Sequence, residues 1–144
     1  MKHRHFLAQL DRRLIQAAIR AAELGTSGEI VVMIHRRPVE DAVAAAQAEF
    51  LRRGLTRTRH RNGVLIFVSP TAQKFAVIGD VGVHEKCGEG FWRELAGVMA
   101  GLFQAGRFTD GLVQGVERAG KLLAEHFPSS PDDRNELPDD VVVR

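Results

Sequence analysis

Apolar residues along the chain fall into three kinds of pattern. Phe6, Leu10, Leu14, Ala18 and Ala21 recur every three or four positions, with Arg12, Arg13, Gln16 and Arg20 between them. That period predicts one amphipathic helix over residues 6–24, closed by Gly25 as a residue tolerant of left-handed geometry. Ile30-Val31-Val32-Met33-Ile34 and Val64-Leu65-Ile66-Phe67-Val68 are instead unbroken apolar runs. Strands of that composition are covered on both faces, which implies a sheet with helices on each side. Between them, Pro38, Glu40 and Asp41 predict the start of a second helix running to about Leu51 and stopping near Gly54. Two buried strands joined through a helix make a parallel βαβ unit with a right-handed crossover.

After the second strand, Ser69-Pro70-Thr71-Ala72-Gln73 is too short for a crossover, so Phe75-Ala76-Val77-Ile78 returns antiparallel as a hairpin. Phe91, Trp92, Leu95, Val98, Met99, Leu102 and Phe103 then form a helical stripe ended by Gly106. A last helix is predicted from a Thr109 N-cap, with Leu112, Val116, Ala119, Leu123 and Phe127 on one face and Pro128 ending it. The expected fold is an α/β, αβα sandwich: a small mixed sheet of a βαβ unit plus an antiparallel hairpin strand, with about four helices. Residues 1–127 form one domain. Residues 128–144, with three prolines and five acids, read as an acidic, extended tail. Val141-Val142-Val143 could add a strand to a sheet edge, but a flexible terminus is the favoured expectation.

Composition narrows the class. One cysteine, Cys87, allows no internal disulfide, and the chain shows no secretion signal or run near the roughly 20 apolar residues of a membrane helix. A soluble, cytoplasmic protein without membrane attachment is expected. The net charge of +2 hides an asymmetry, since residues 1–61 carry 12 Lys/Arg against 6 Asp/Glu. Five of those arginines lie in Arg52–Arg61, yet no aromatic residue interleaves them, so nucleic-acid binding is disfavoured against a solvated connector. No Walker loop, dinucleotide fingerprint or nucleophile-elbow serine is present. His84 and Cys87 have the spacing of half a zinc site without a second pair, and Cys87 lacks a visible base.

The mixed topology makes a geometric prediction. With two strands parallel and the third reversed, the start of the first (Ser27, Gly28, Glu29), the start of the second (His60, Arg61, Asn62, Gly63) and the end of the third (Gly79, Asp80) meet at one sheet end. A loop over Val81–Gly90 would add His84, Glu85 and Glu89. Oxygen-rich clusters suit hard cations such as Ca2+ or Mg2+. The competing reading is that Glu29 and Asp80 cap turns.

The segments Thr26-Ser27-Gly28-Glu29-Ile30-Val31-Val32, Arg61-Asn62-Gly63-Val64-Leu65-Ile66-Phe67-Val68, Gly79-Asp80-Val81-Gly82-Val83 and Phe103-Gln104-Ala105-Gly106-Arg107-Phe108-Thr109-Asp110-Gly111-Leu112 together resemble the TPM domain family. The resemblance implies an αβα sandwich and, for some members, calcium binding and phosphatase activity. Glu29, Asn62, Asp80 and Glu85 are the positions it carries across as a ligand or metal set, with Asp80, Glu85 and Glu29 as the cation ligands. Family members often have an Asp before the Asn-Gly of the second strand, where this chain has Arg61, a candidate phosphate contact. They also often have a Gly-aromatic-Gly-Leu-Glu-Gly stretch after the third strand, where this chain has Gly79-Asp80-Val81-Gly82-Val83-His84-Glu85. The expectation is a stand-alone module that binds a small ligand or protein partner without catalysis, the alternative being a divalent-metal-dependent phosphatase acting on phosphomonoesters.

Overall fold

The computed structural model describes residues 2–129 and 141–144, the side chain of His3 excepted. The acidic stretch 130–140 of the expected tail lies outside the described residues. In chain order the elements are α1 (His3–Gln9), α2 (Arg12–Leu24), β1 (Glu29–Ile34), α3 (Ala42–Arg52), a 3-10 turn (Leu55–Arg57), β2 (Gly63–Ser69), β3 (Lys74–Gly79), α4 (Val81–Gln104), α5 (Phe108–His126) and β4 (Val141–Val143). The sheet runs β3-β2-β1-β4. β1 and β2 are parallel, with Glu29 beside Gly63 and Ile34 beside Val68, and β3 is antiparallel to β2, with Gly79 beside Val64. The expected mixed αβα sandwich is observed.

Both inner strands are buried along their whole length, as their uninterrupted apolar runs require. Alternation sends Ile30, Val32, Ile34, Val64, Ile66 and Val68 into a core with Ile15, Ile19, Leu95, Met99, Leu112, Val116 and Leu123 of α2, α4 and α5. The opposite set, Val31, Met33, Leu65 and Phe67, packs with Ala46 and Phe50 of α3 and with Leu55. Each fully buried Leu, Ile or Phe contributes about 1.5–3 kcal/mol from removal of its surface from water.

The first expected helix is two. Asp11 interrupts it, its Oδ1 accepting the Leu14 N–H (3.2 Å) to cap α2. Thr109 accounts for the break from outside: its Oγ1 accepts the Asp11 N–H at 3.0 Å. Thr109 is therefore not the cap of α5, which begins one residue earlier. Gly25 ends α2 at φ −94°, so its left-handed freedom is not used. α3 starts after Asp41, not at Pro38, because the Asp41 carboxylate accepts the Ala44 N–H at 3.0 Å.

Two larger corrections concern the ends of the chain's second half. Residues 81–90 are not a loop: α4 begins directly at Val81, with Asp80 as its cap, and Val83 is fully buried. The glycines that suggested a loop are accommodated by a kink at Gly88, φ 71°, ψ 173°. The valines at the C-terminus are not a free end either. They pair parallel with β1, Val141 beside Val32 and Val143 beside Ile34, and Val141 is buried. Arg12 donates to the Val141 carbonyl (3.1 Å), and Arg144 exchanges backbone hydrogen bonds with Arg36 and Ile34 (2.6 and 3.0 Å).

Candidate functional site

The three junctions do meet. Gly63 lies beside Glu29 on one side, and on the other its carbonyl accepts the Asp80 N–H at 2.9 Å. β2 thus separates the backbones of Glu29 and Asp80 by two strand spacings, about 10 Å.

Asp80 and Arg61 dominate this end. Arg61 Nε donates to Asp80 Oδ2 at 2.6 Å, and Nη2 to Oδ1 at 2.8 Å. Oδ1 also accepts the Val81 N–H at 2.8 Å, so the carboxylate caps α4 while it holds the guanidinium. The Asp80 side chain is 4% exposed and that of Arg61 46%, so one partner is fixed inside and the other reaches solvent. The hydrogen bonds that Arg61 donates to Asp80 raise its pKa, outweighing the opposing effect of burial, with the attraction of the two charges adding to the rise. Arg61 therefore stays a cation at any accessible pH.

Local backbone geometry makes the pair. Arg61 sits at φ 52°, a left-handed conformation that is unfavourable for a residue with a long side chain. The Arg61 carbonyl accepts the Gly82 N–H at 3.0 Å, stitching the first turn of α4 to the entry of β2. A Cβ at position 82 would lie 2.7 Å from that carbonyl oxygen, so only glycine permits the approach. This stitch holds Asp80 and Arg61, 19 residues apart, in register.

Asn62, buried, donates from Nδ2 to Ser27 Oγ (3.1 Å), and its N–H donates to Thr58 Oγ1 (3.1 Å). Its Oδ1 is buried without a hydrogen-bond partner among the described residues. Glu29 is buried at the head of β1. Glu85 is exposed on the first turns of α4. The structure thus brings Asp80 to Arg61 and Asn62 to Ser27, and turns Glu85 to solvent. Among the described residues no three His, Cys, Asp or Glu side chains are grouped to hold a metal ion. With both Asp80 oxygens engaged by the Arg61 guanidinium and the Val81 N–H, this arrangement does not fit a hard cation, which needs carboxylate oxygens free to ligate it.

From sequence no role was assigned to Thr26, Thr58 or Gly82. Thr26 Oγ1 lies between the Leu123 and Phe127 carbonyls and the Gly28 N–H, tying the lead into β1 to the end of α5. The Thr-Ser-Gly run and the paired threonines of Leu55-Thr56-Arg57-Thr58 were the available signals. The arginine-rich connector is partly internal: Leu55 and Thr58 are buried, Arg52 binds Glu49 (2.8 Å), and Arg61 binds Asp80. Cys87 lies partly buried on α4, not in a loop, and burial pushes its thiol pKa up.

Beside Asp80 a cleft of about 610 Å³ opens between α3, β3 and α4, lined among others by Phe50, Ile78, Val81, His84 and Trp92. At the opposite end of β3 a second cleft of about 550 Å³ is walled by Phe6, Phe75, Phe103 and Phe108.

A two-layered cover of helices on a β3-β2-β1 sheet, with the β1, β2 and β3 junctions gathered at one end, defines an αβα-sandwich domain. The TPM domain family model matches residues 1–122. The chain belongs to that family. The NMR structure of the BA42 protein from the psychrophilic bacterium Bizionia argentinensis is 35% identical, at a TM-score of 0.84, over 92% of each chain. The NMR structure of the N-terminal domain of a P. gingivalis protein is 17% identical at a TM-score of 0.60, covering 79% of this chain and 76% of that one, and shares the fold. No match is found among the curated proteins. No helix of the described residues is long and apolar enough to cross a membrane.

Proposed function

We propose that the chain is a non-catalytic binding or assembly module in which an internal guanidinium stands where a divalent cation would be held. The observation that carries this reading is the two-point contact of Arg61 on Asp80, at 2.6 and 2.8 Å. It neutralises the buried carboxylate with a charge that belongs to the chain itself, and a cation arriving at Asp80 would meet like charge at close range. The remaining face of Arg61 is open to solvent, beside the cleft that Asp80 and His84 line. An anionic group of a small ligand or protein partner suits that face, because a planar guanidinium binds carboxylate and phosphate oxygens in pairs.

The competing reading, a Ca2+- or Mg2+-dependent phosphatase with Asp80, Glu85 and Glu29 on the metal and Arg61 on the phosphate, requires Arg61 to leave Asp80. One experiment separates the two: p-nitrophenyl phosphate hydrolysis and thermal melting, each with and without Ca2+, Mg2+ or Mn2+, for the wild type and Asp80→Ala. The module predicts no turnover above the variant's and no rise in melting temperature with metal. Metal-dependent turnover that Asp80→Ala abolishes would overturn it.

A further inference from the structure

We propose that the open edge of β3 is the interface of a two-fold dimer of this chain, in which two β3 strands pair antiparallel and extend the sheet across both copies. β3 is the outer strand of the described sheet on the side away from β4. The Asp80 N–H to Gly63 carbonyl bond fixes which pairs of the β2–β3 ladder are hydrogen-bonded. By alternation Leu65 with Ile78 and Phe67 with Ala76 are bonded pairs, so the backbone groups of Phe75 and Val77 point outward, while Gly79, next in the same set, is buried. Lys74 stands at one end of this edge, and from Phe75 to Gly79 it carries no charge, proline or bulge of the kind that blunts exposed edges.

Apolar side chains gather beside the same edge. Among the described residues five large hydrophobic side chains are exposed, and three of them, Val43 (50%), Leu51 (67%) and Val81 (52%), line the one cleft between α3, β3 and α4. Trp92 lines it too, with its Nε1 buried and without an acceptor among the described residues.

The occupant is a second copy because the pattern reads the same when reversed, as a two-fold contact requires. Val43, Gln47 and Leu51 follow one another at four-residue steps along α3, which packs over β3. Against an antiparallel α3, Val43 meets Leu51 and Gln47 meets Gln47. Glu89 and Arg93, four residues apart on α4, line the cleft as well, and reversal sets each carboxylate against the other copy's guanidinium. An unrelated strand would need the open edge but not this symmetry.

The dimer fills the cleft that Asp80 also lines, but its test reads association alone, so its failure is distinguishable from failure of the proposed module function. Sedimentation equilibrium of the full chain across a concentration series should show a reversible approach to twice the 15.9 kDa chain mass. Leu51→Arg should weaken the association at least about tenfold, the equivalent of 1.4 kcal/mol, with unchanged circular dichroism. In a Cys87→Ala background, Gln47→Cys should form an intermolecular disulfide on mild oxidation, and Ala48→Cys, exposed on α3 but off the stripe, should not. A wild type that stays monomeric at every concentration overturns the proposal. So does a dimer indifferent to Leu51→Arg, or one that crosslinks equally from position 48.

Discussion

The two edges of the sheet are finished in opposite ways. On the β1 side, the chain's own C-terminal valines lie along Val32–Ile34, with Arg12 on the Val141 carbonyl and backbone bonds from Arg144 closing the end. On the β3 side the described residues add no further strand, and α3 and α4 leave an apolar cleft in place of cover. The inner strand β1 is buried throughout and apolar from Ile30 to Ile34, and could not be left open without inviting pairing with another chain. β3 is half-buried rather than buried throughout, with Lys74 exposed at its start. An edge that must be covered in every molecule is covered in cis, and an edge that can stand exposed is available for a partner.

Substitutions at the two edges should therefore differ in kind. The largest effect is expected from Val141→Asp, which puts a charge where a buried valine fills the core. Loss of the apolar contribution alone is about 2 kcal/mol, and the unpaired carboxylate adds to it. A melting temperature lower by several degrees and exposure of the β1 edge, read as increased dye binding or aggregation, would bear out the contrast. An unchanged melting temperature would show that β4 is dispensable.

Asp80→Ala, where β3 passes into α4, should cost less, about 1 kcal/mol for the lost helix cap, together with increased amide hydrogen exchange over residues 81–84. Arg61→Asp is the sharper test of the same junction. It places a short acidic residue, better suited to left-handed backbone, beside Asp80, and removes the internal cation. The variant should melt below the wild type in chelator and recover with Ca2+ or Mg2+, a response the wild type lacks. No recovery would mean that the geometry, not the charge of Arg61, precludes a cation.

On the open side, Leu51→Arg should change the stability of the single chain by no more than about 0.5 kcal/mol, since the residue is exposed. The smallest effect concerns Cys87. Its folded pKa lies above that of the unfolded thiol, so in alkali the unfolded chain ionises first. Stability should be unaffected at neutral pH and fall as pH rises from the ordinary thiol range toward the raised value, a fall that Cys87→Ala abolishes. Urea melts at neutral and alkaline pH read this directly.

Much of the fold was legible because burial on both faces leaves a local trace. The unbroken runs Ile30–Ile34 and Val64–Val68, and the link Ser69–Gln73 too short for a crossover, specify the βαβ unit and the reversed third strand. The break at Asp11 was not legible, since Phe6, Leu10 and Leu14 keep one helical phase across it. The cause is Thr109, nearly a hundred residues away. The first turns of α4 were missed for the opposite reason: Gly82 and Gly88 suggest a loop, whereas Gly82 serves a close helix contact and Gly88 a kink.

At the candidate site, sequence determined that Glu29, Arg61, Asn62 and Asp80 share one sheet end, because strand direction alone carries them there. Only the tertiary structure decided what they do to one another. Asp80 turns to Arg61 and the Val81 N–H, because the Gly82 contact sets α4 against the entry of β2. It likewise decided that Val141–Val143 close the β1 edge. Three valines favour an extended strand anywhere, but which edge is open to receive them depends on the packing of the whole sheet.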